Sequence, residues 1–97
     1  MKSSSESDSL FVIIHSPEGI MFQGVCSALS AVNLIGPFDI LPNHQNFITH
    51  INSTVTLYLA DSDEKQEIPV QMGVLRVQSN EIVLYVIMSP LLTQSDR

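Results

Sequence analysis

At 97 residues, with ten acidic side chains against four basic ones, the chain is a single small domain carrying a formal charge of −6. Two of the four bases, Lys2 and Arg97, stand near the chain ends, leaving Lys65 and Arg76. No basic patch can be built from two residues, so neither nucleic acid nor an anionic membrane surface is expected as a partner. No apolar run approaches the roughly 20 residues of a membrane-crossing helix, so direct lipid insertion is not expected either.

In chain order, MKSSSESDS has one Lys and no apolar stretch of the kind that opens a signal peptide, and residues 1–9 read as a disordered polar tail. Leu10 to Ile14 is β-branched-rich and reads as a strand buried on both faces. Pro17-Glu18-Gly19 turns it into a second strand near Met21-Phe22, and Gly24 marks a bulge or bend before the small-residue apolar run Val25 to Val32. Gly36-Pro37 and Pro42-Asn43 bracket a tight apolar elbow around one acid, Asp39, in which Ile40 and Leu41, like Phe22, read as core. Thr54 to Ala60 alternates, with Val55, Leu57 and Leu59 on one face. Glu67 to Met72 alternates again, with Ile68, Val70 and Met72 together. The polar run Asp61 to Gln66 joins these two as a hairpin loop, and Pro69, lacking an amide donor, points to an edge position. Gly73 opens Val74 to Gln78, and Ser79-Asn80 turns it back into Glu81 to Met88. No segment carries a helical period. Short strands with turn signals every eight to twelve residues predict an all-β fold, a two-sheet β-sandwich of mostly antiparallel short strands spanning residues 10–89, followed by a tail over 90–97.

Side chains that could do chemistry each have a simpler role. Cys26 is the chain's one cysteine and lies in an apolar run, as a reduced, buried thiol would. His15, His44 and His50 match no metal-ligand spacing, and Glu18 and Asp39 sit beside turn residues, where solvated acids are common. The glycines open no phosphate loop. Asn52-Ser53-Thr54 spells a glycosylation sequon that stays silent without secretion. No metal, cofactor or catalytic residue is expected; the residues favour a binding or structural module.

Three blocks carry a resemblance. LFVIIHSPEGIMFQGV (10–25), GPFDILPNHQNFITHI (36–51) and GVLRVQSNEIVLYV (73–86), in this order and spacing, resemble the N-terminal β-sandwich domain of the epsilon subunit of F-type ATP synthases. Together they cover roughly residues 10 to 88. The resemblance implies a non-catalytic central-stalk subunit on the cytoplasmic face of the membrane, in a peripheral complex. It would bind the gamma subunit and the c-ring and couple ion-driven rotation to ATP synthesis. By motif position it places Ser16, Met21, Phe22, His44 and Thr49 at the gamma interface. It places the loop Asn33, Leu34, Ile35, Gly36, Pro37, Phe38 and Asp39 at the c-ring end. Asp39 stands where the family usually has a second Gly, and Pro37 and Phe38 where polar residues are frequent. After Pro90 only LLTQSDR follows, too short for the helical hairpin that in the family carries the inhibitory arm and, in some relatives, an ATP site. Neither ATP binding nor inhibition is therefore expected of these residues. A free-standing β-sandwich adaptor for another protein, and a small metalloenzyme of cupin type, are the alternative classes.

Overall fold

The computed structural model describes residues 9–88, so the two expected tails fall almost wholly outside the described residues. Eight strands form among the described residues: β1 (Leu10–Ser16), β2 (Gly19–Val32), β3 (Pro37–Ile40), β4 (Phe47–Ile51), β5 (Val55–Leu59), β6 (Lys65–Ile68), β7 (Val70–Gln78) and β8 (Glu81–Met88). Hydrogen bonds link them in the order β4-β7-β8-β1-β2-β5-β6, with β3 also paired to β2. All pairs are antiparallel except β1 with β8.

The 14-residue β2 is shared by two layers. Its first half pairs with β1, as far as Leu10 opposite Cys26; its second half pairs with β5, starting at Cys26 opposite Leu59, and with β3. The layers therefore meet at Cys26. One holds β4, β7, β8, β1 and the first half of β2. The other holds β3, the second half of β2, β5 and β6. Their facing side chains make one apolar cluster. Val12, Ile14, Leu75, Val77, Ile82 and Leu84 come from the first layer, and Leu29, Ile40, Val55, Leu57 and Ile68 from the second. No polar or charged side chain is buried among the described residues.

Several details differ from the sequence reading, each for a local reason. Gly24 is not a bulge; it pairs regularly with Val12. The extra residues are Met21, skipped between Ile14–Phe22 and His15–Ile20, and Ser27, skipped between Cys26 and Ala28. Such insertions sharpen the local twist and bend a long strand. Gly24 instead makes room, because a Cβ there would meet the Phe22 ring at 3.2 Å. Glu67 to Met72 is not one strand: Ile68 closes β6 against β5, and after Pro69 Val70 opens β7 against β8. Pro69 thus stands at a corner between layers, where its missing amide costs no ladder bond. Ile68 and Val70 are both buried, whereas Met72 is exposed. β1 is not buried on both faces; Leu10, Val12 and Ile14 point into the cluster while Phe11 is exposed. Leu41 is not core. Ile40 points inward at the end of β3, and strand alternation sends its neighbour out.

The β7–β8 hairpin closes as the sequence predicts. Ser79 and Asn80 have φ of 53° and 66°, both left-handed, which is the two-residue turn whose twist matches the flanking strands. Gly73 lies inside β7 rather than opening a strand, and a Cβ there would stand 2.7 Å from the Tyr85 carbonyl oxygen on β8. Gly73→Ala is therefore expected to push β7 from β8 and lower stability by about 1–3 kcal/mol. Urea unfolding should show it as a lower midpoint, whereas an unchanged midpoint would mean the strands absorb a methyl group freely.

Candidate partner-binding surface

The hairpin between β2 and β3 is built from Asn33 outward. Asn33 and Gly36 exchange backbone hydrogen bonds of 3.1 Å each, leaving Leu34 and Ile35 as the two tip residues. The Asn33 side-chain oxygen accepts from the Ile35 amide at 2.9 Å and the Gly36 amide at 3.2 Å, the local bonding that suits Asn to turns. Its Nδ2 donates to Thr49 Oγ1 on β4 at 3.2 Å. Gly36 has φ 142°, which a side chain would strain. The tip is thereby held in place while carrying Leu34 at 88% and Ile35 at 95% exposure, the two most exposed large apolar residues described. Below it, Ser30 Oγ donates to Asp39 Oδ1 at 2.6 Å, and the Phe38 ring meets Phe47 edge-on.

The five other predicted interface residues fall into three places. Ser16 is the last residue of β1 and closes the β1–β2 turn, its hydroxyl donating to the Gly19 carbonyl at 3.0 Å and accepting from the Glu18 amide at 3.3 Å. Phe22 and Thr49 belong to one row across five strands, Thr49–Leu75–Leu84–Ile14–Phe22, on the inner face of the first layer; Met21 is the bulged residue beside Phe22. His44 sits at the far end of that layer from Ser16. Its ring packs on Phe47, with centroids 5.1 Å apart, and its Nδ1 meets the Gln45 carbonyl at 2.9 Å. The loop carrying it is clasped to the β7–β8 turn. The Asn43 amide donates to Asn80 Oδ1 at 2.6 Å, and Asn80 Nδ2 returns a bond to Asn43 Oδ1 at 3.2 Å. Thr49 and Asn33, expected at different contacts, touch one another.

The outward face of the first layer is missing from the sequence reading. Register places side chains there in rows: Ile48, Arg76, Val83, Ile13 and Gln23, then His50, Val74, Tyr85, His15 and Ile20. Ile48, Val74, Tyr85, Ile20, Met72 and Ile87 are all exposed. A solvated sheet face is ordinarily polar; this one is mostly apolar. Near its end a groove of about 630 Å³ runs between Pro17, Leu34, His50, Met72, Tyr85 and Ile87. The His15 and Tyr85 rings stack across the parallel β1–β8 pair, 4.8 Å apart at 11°. The missed signal was in Val83, Tyr85 and Ile87. They make Glu81 to Met88 look like a strand apolar on both sides, but only pairing shows that one side faces outward.

A sequence profile described as the ATP synthase delta/epsilon chain, beta-sandwich domain, matches residues 9–87. The chain belongs to this family. Among curated relatives, the ATP synthase epsilon chain of Clostridium perfringens is 31% identical over 75 residues, covering 77% of this chain and 56% of that one. The epsilon chain of Clostridium botulinum is 32% identical over 77 residues, covering 79% and 58%. The chain thus spans a little over half the length of these relatives. Among solved structures, the Euglena gracilis mitochondrial ATP synthase contains a chain that superposes with a TM-score of 0.78 at 9% identity, covering 84% of this chain and 52% of that one. A chain of the Tetrahymena thermophila mitochondrial central stalk and c-ring structure gives 0.72 at 12% identity, covering 96% and 75%. At such identities these matches speak for the sandwich fold.

His15 and His50 both line the groove, but His44 is at the other end of the layer, and no three His, Cys, Asp or Glu side chains gather as metal ligands among the described residues. Cys26 is fully buried, and burial pushes its thiol up to about 11. In the unfolded chain it ionises near the ordinary thiol value, so stability falls as pH rises between about 9 and about 11. Native protein at pH 8 is expected to resist a thiol reagent and to react once unfolded. Rapid labelling of the native fold would contradict the burial.

Proposed function

We propose that this chain is the β-sandwich part of a non-catalytic rotor subunit of an F-type ATP synthase, lying at the cytoplasmic face of the membrane. It binds the gamma subunit along its side and rests its β2–β3 tip on the c-ring, so that ion-driven ring rotation reaches the catalytic head through gamma. The family match over residues 9–87 carries this reading.

The tip's construction supports it. Leu34 and Ile35 stand fully outside the core on a turn that Asn33 holds with three side-chain hydrogen bonds. Two exposed apolar residues on a rigid turn lose little entropy on docking, which suits a contact that must transmit force. The segment 33–39, which the structure divides into the tip turn and the start of β3, meets the ring, and Ser16, Met21, Phe22, His44 and Thr49 meet gamma. Ser16 and Thr49 contribute through hydroxyls already oriented by neighbours, and His44 through a ring fixed on Phe47.

Thr49→Asp and Met21→Glu are each expected to weaken binding of the cognate gamma subunit by about 2–5 kcal/mol, because the new charge is desolvated without a partner. Calorimetry beside a thermal unfolding control checks this, since Thr49 also holds Asn33. Affinity equal to the parent's would remove these residues from the interface.

The described residues build no phosphate cradle. Lys65 and Arg76, the two internal bases, lie on different strands, β6 and β7, and the formal charge of −6 repels a triphosphate. The chain as given is expected neither to bind ATP at micromolar concentration nor to suppress hydrolysis by the assembled head. Micromolar ATP binding in a titration would show a regulatory role in the sandwich itself.

A further inference from the structure

We infer that the groove at the end of the first layer is a binding site for a medium-chain carboxylate, its carboxylate at His50 and its alkyl chain laid across β7 and β8 towards Pro17. The function proposed above calls for no such ligand, and the two readings can fail independently.

The groove has the dimensions of a ligand site. Its volume of about 630 Å³ falls within the roughly 300–1,000 Å³ usual for small molecules. It crosses β4, β7, β8 and β1, three strand spacings or about 14 Å, which is the length of a medium alkyl chain. Its walls are in place beforehand. Leu34 stands on the turn that Asn33 holds, and the Tyr85 ring is held by its stack on His15. A chain laid there takes Leu34, Met72, Tyr85 and Ile87 out of water, all four of which are exposed without it.

The polar groups select the head and fix which way the molecule lies. No carboxylate lines the groove, although the chain has ten acids. Its side-chain donors include His15, His50 and Asn52, and none of these three side chains has a hydrogen-bond partner among the described residues. The two ends differ in charge. At the β1 end, the Ser16 hydroxyl stands 3.4 Å from a Glu18 carboxylate oxygen, so a fixed negative charge sits beside the groove. At the β4 end, His50 lies opposite Val74, and Arg76 follows Val74 by two positions on the same face of β7. No ion pair or hydrogen bond engages the Arg76 guanidinium among the described residues. A carboxylate therefore settles at His50 with the Arg76 charge one row away, and its chain runs from there towards Pro17. Hydrogen bonds to an ionised acceptor are about twice as strong as neutral ones, so an alkyl molecule with an uncharged head is held less well. A cationic head meets Arg76 with repulsion.

The test uses the full chain, isotope-labelled, and decanoate kept below its micelle-forming concentration, followed by backbone amide shifts. Saturable shifts are expected at Leu34, Met72, Tyr85 and Ile87, with none at Ala28 or Tyr58 in the other layer. Decanoate should bind about tenfold or more tighter than decyltrimethylammonium, and acetate, lacking the chain, should not saturate. His50→Gln and Arg76→Gln should each weaken decanoate about threefold or more while leaving decyl glucoside, whose head is uncharged, unaffected. Tyr85→Ala should weaken both. Lys65→Gln removes a cation from β6 of the other layer and should change neither. Unfolding temperatures of the four variants should match the parent's, because all four side chains stand outside the core. Shifts that spread over both layers without saturating would show detergent-like adsorption and overturn the site. Equal binding of the cationic amphiphile, or decanoate affinity unchanged in both His50→Gln and Arg76→Gln, would overturn the assignment of the head.

Discussion

The fold depends on a single strand being made to serve two layers. β2 has 14 residues, more than one sheet of this size can use, and it changes partners at Cys26. Bulges at Met21 and Ser27 supply the bend, and the residue at the joint must be small and apolar because both layers close on it. With Cys26 fully buried, the Leu10 and Leu59 strands can approach from either side. The second crossing is at Pro69, where β6 ends and β7 begins. Two joints fold one hydrogen-bonded path over on itself, and the apolar cluster fills the space between.

This closure determines which faces are left open. Each layer has one face in the cluster and one outside it. In the second layer the outside is set with the acids and polar residues of the β5–β6 hairpin. In the first it is set with Ile48, Val74, Tyr85, Ile20 and Met72. Water alone does not favour such a surface: each exposed apolar side chain forgoes roughly 1.5–3 kcal/mol of burial. A partner there would recover that energy, and the hydrogen-bonded tip and the Asn43–Asn80 clasp fix the two ends of the layer. The chemistry is that of attachment. For the function proposed above, stiffness and surface shape would carry the work.

Much of this was legible in the residues. Period-two alternation in Thr54 to Ala60 and the Ser79-Asn80 turn follow from local rules and stand as read, whereas the polar hairpin loop is shorter than Asp61 to Gln66, because Lys65 and Gln66 already pair with Tyr58 and Leu57 in β6. The failures share one cause. Whether Leu10 to Ile14 is buried on one side or two, whether Gly24 or Met21 is the bulge, and whether Glu67 to Met72 is one strand or two all depend on which strand lies alongside. A short apolar run looks the same in each case. The resemblance supplied the family, and the tip loop Asn33 to Asp39 was named as a unit, but the work of Asn33 within it is a matter of hydrogen bonds to Ile35, Gly36 and Thr49 that spacing does not display. The outward face escaped for the same reason: its rows exist only once five strands are in register.

The most direct test is a cryo-electron-microscopy reconstruction of the assembled synthase containing this chain. The account requires Ser16, Met21, Phe22, His44 and Thr49 to lie against gamma and the Leu34–Ile35 tip to lie against the c-ring. A map in which gamma grips the β5–β6 side and the tip stands clear of the ring would contradict it.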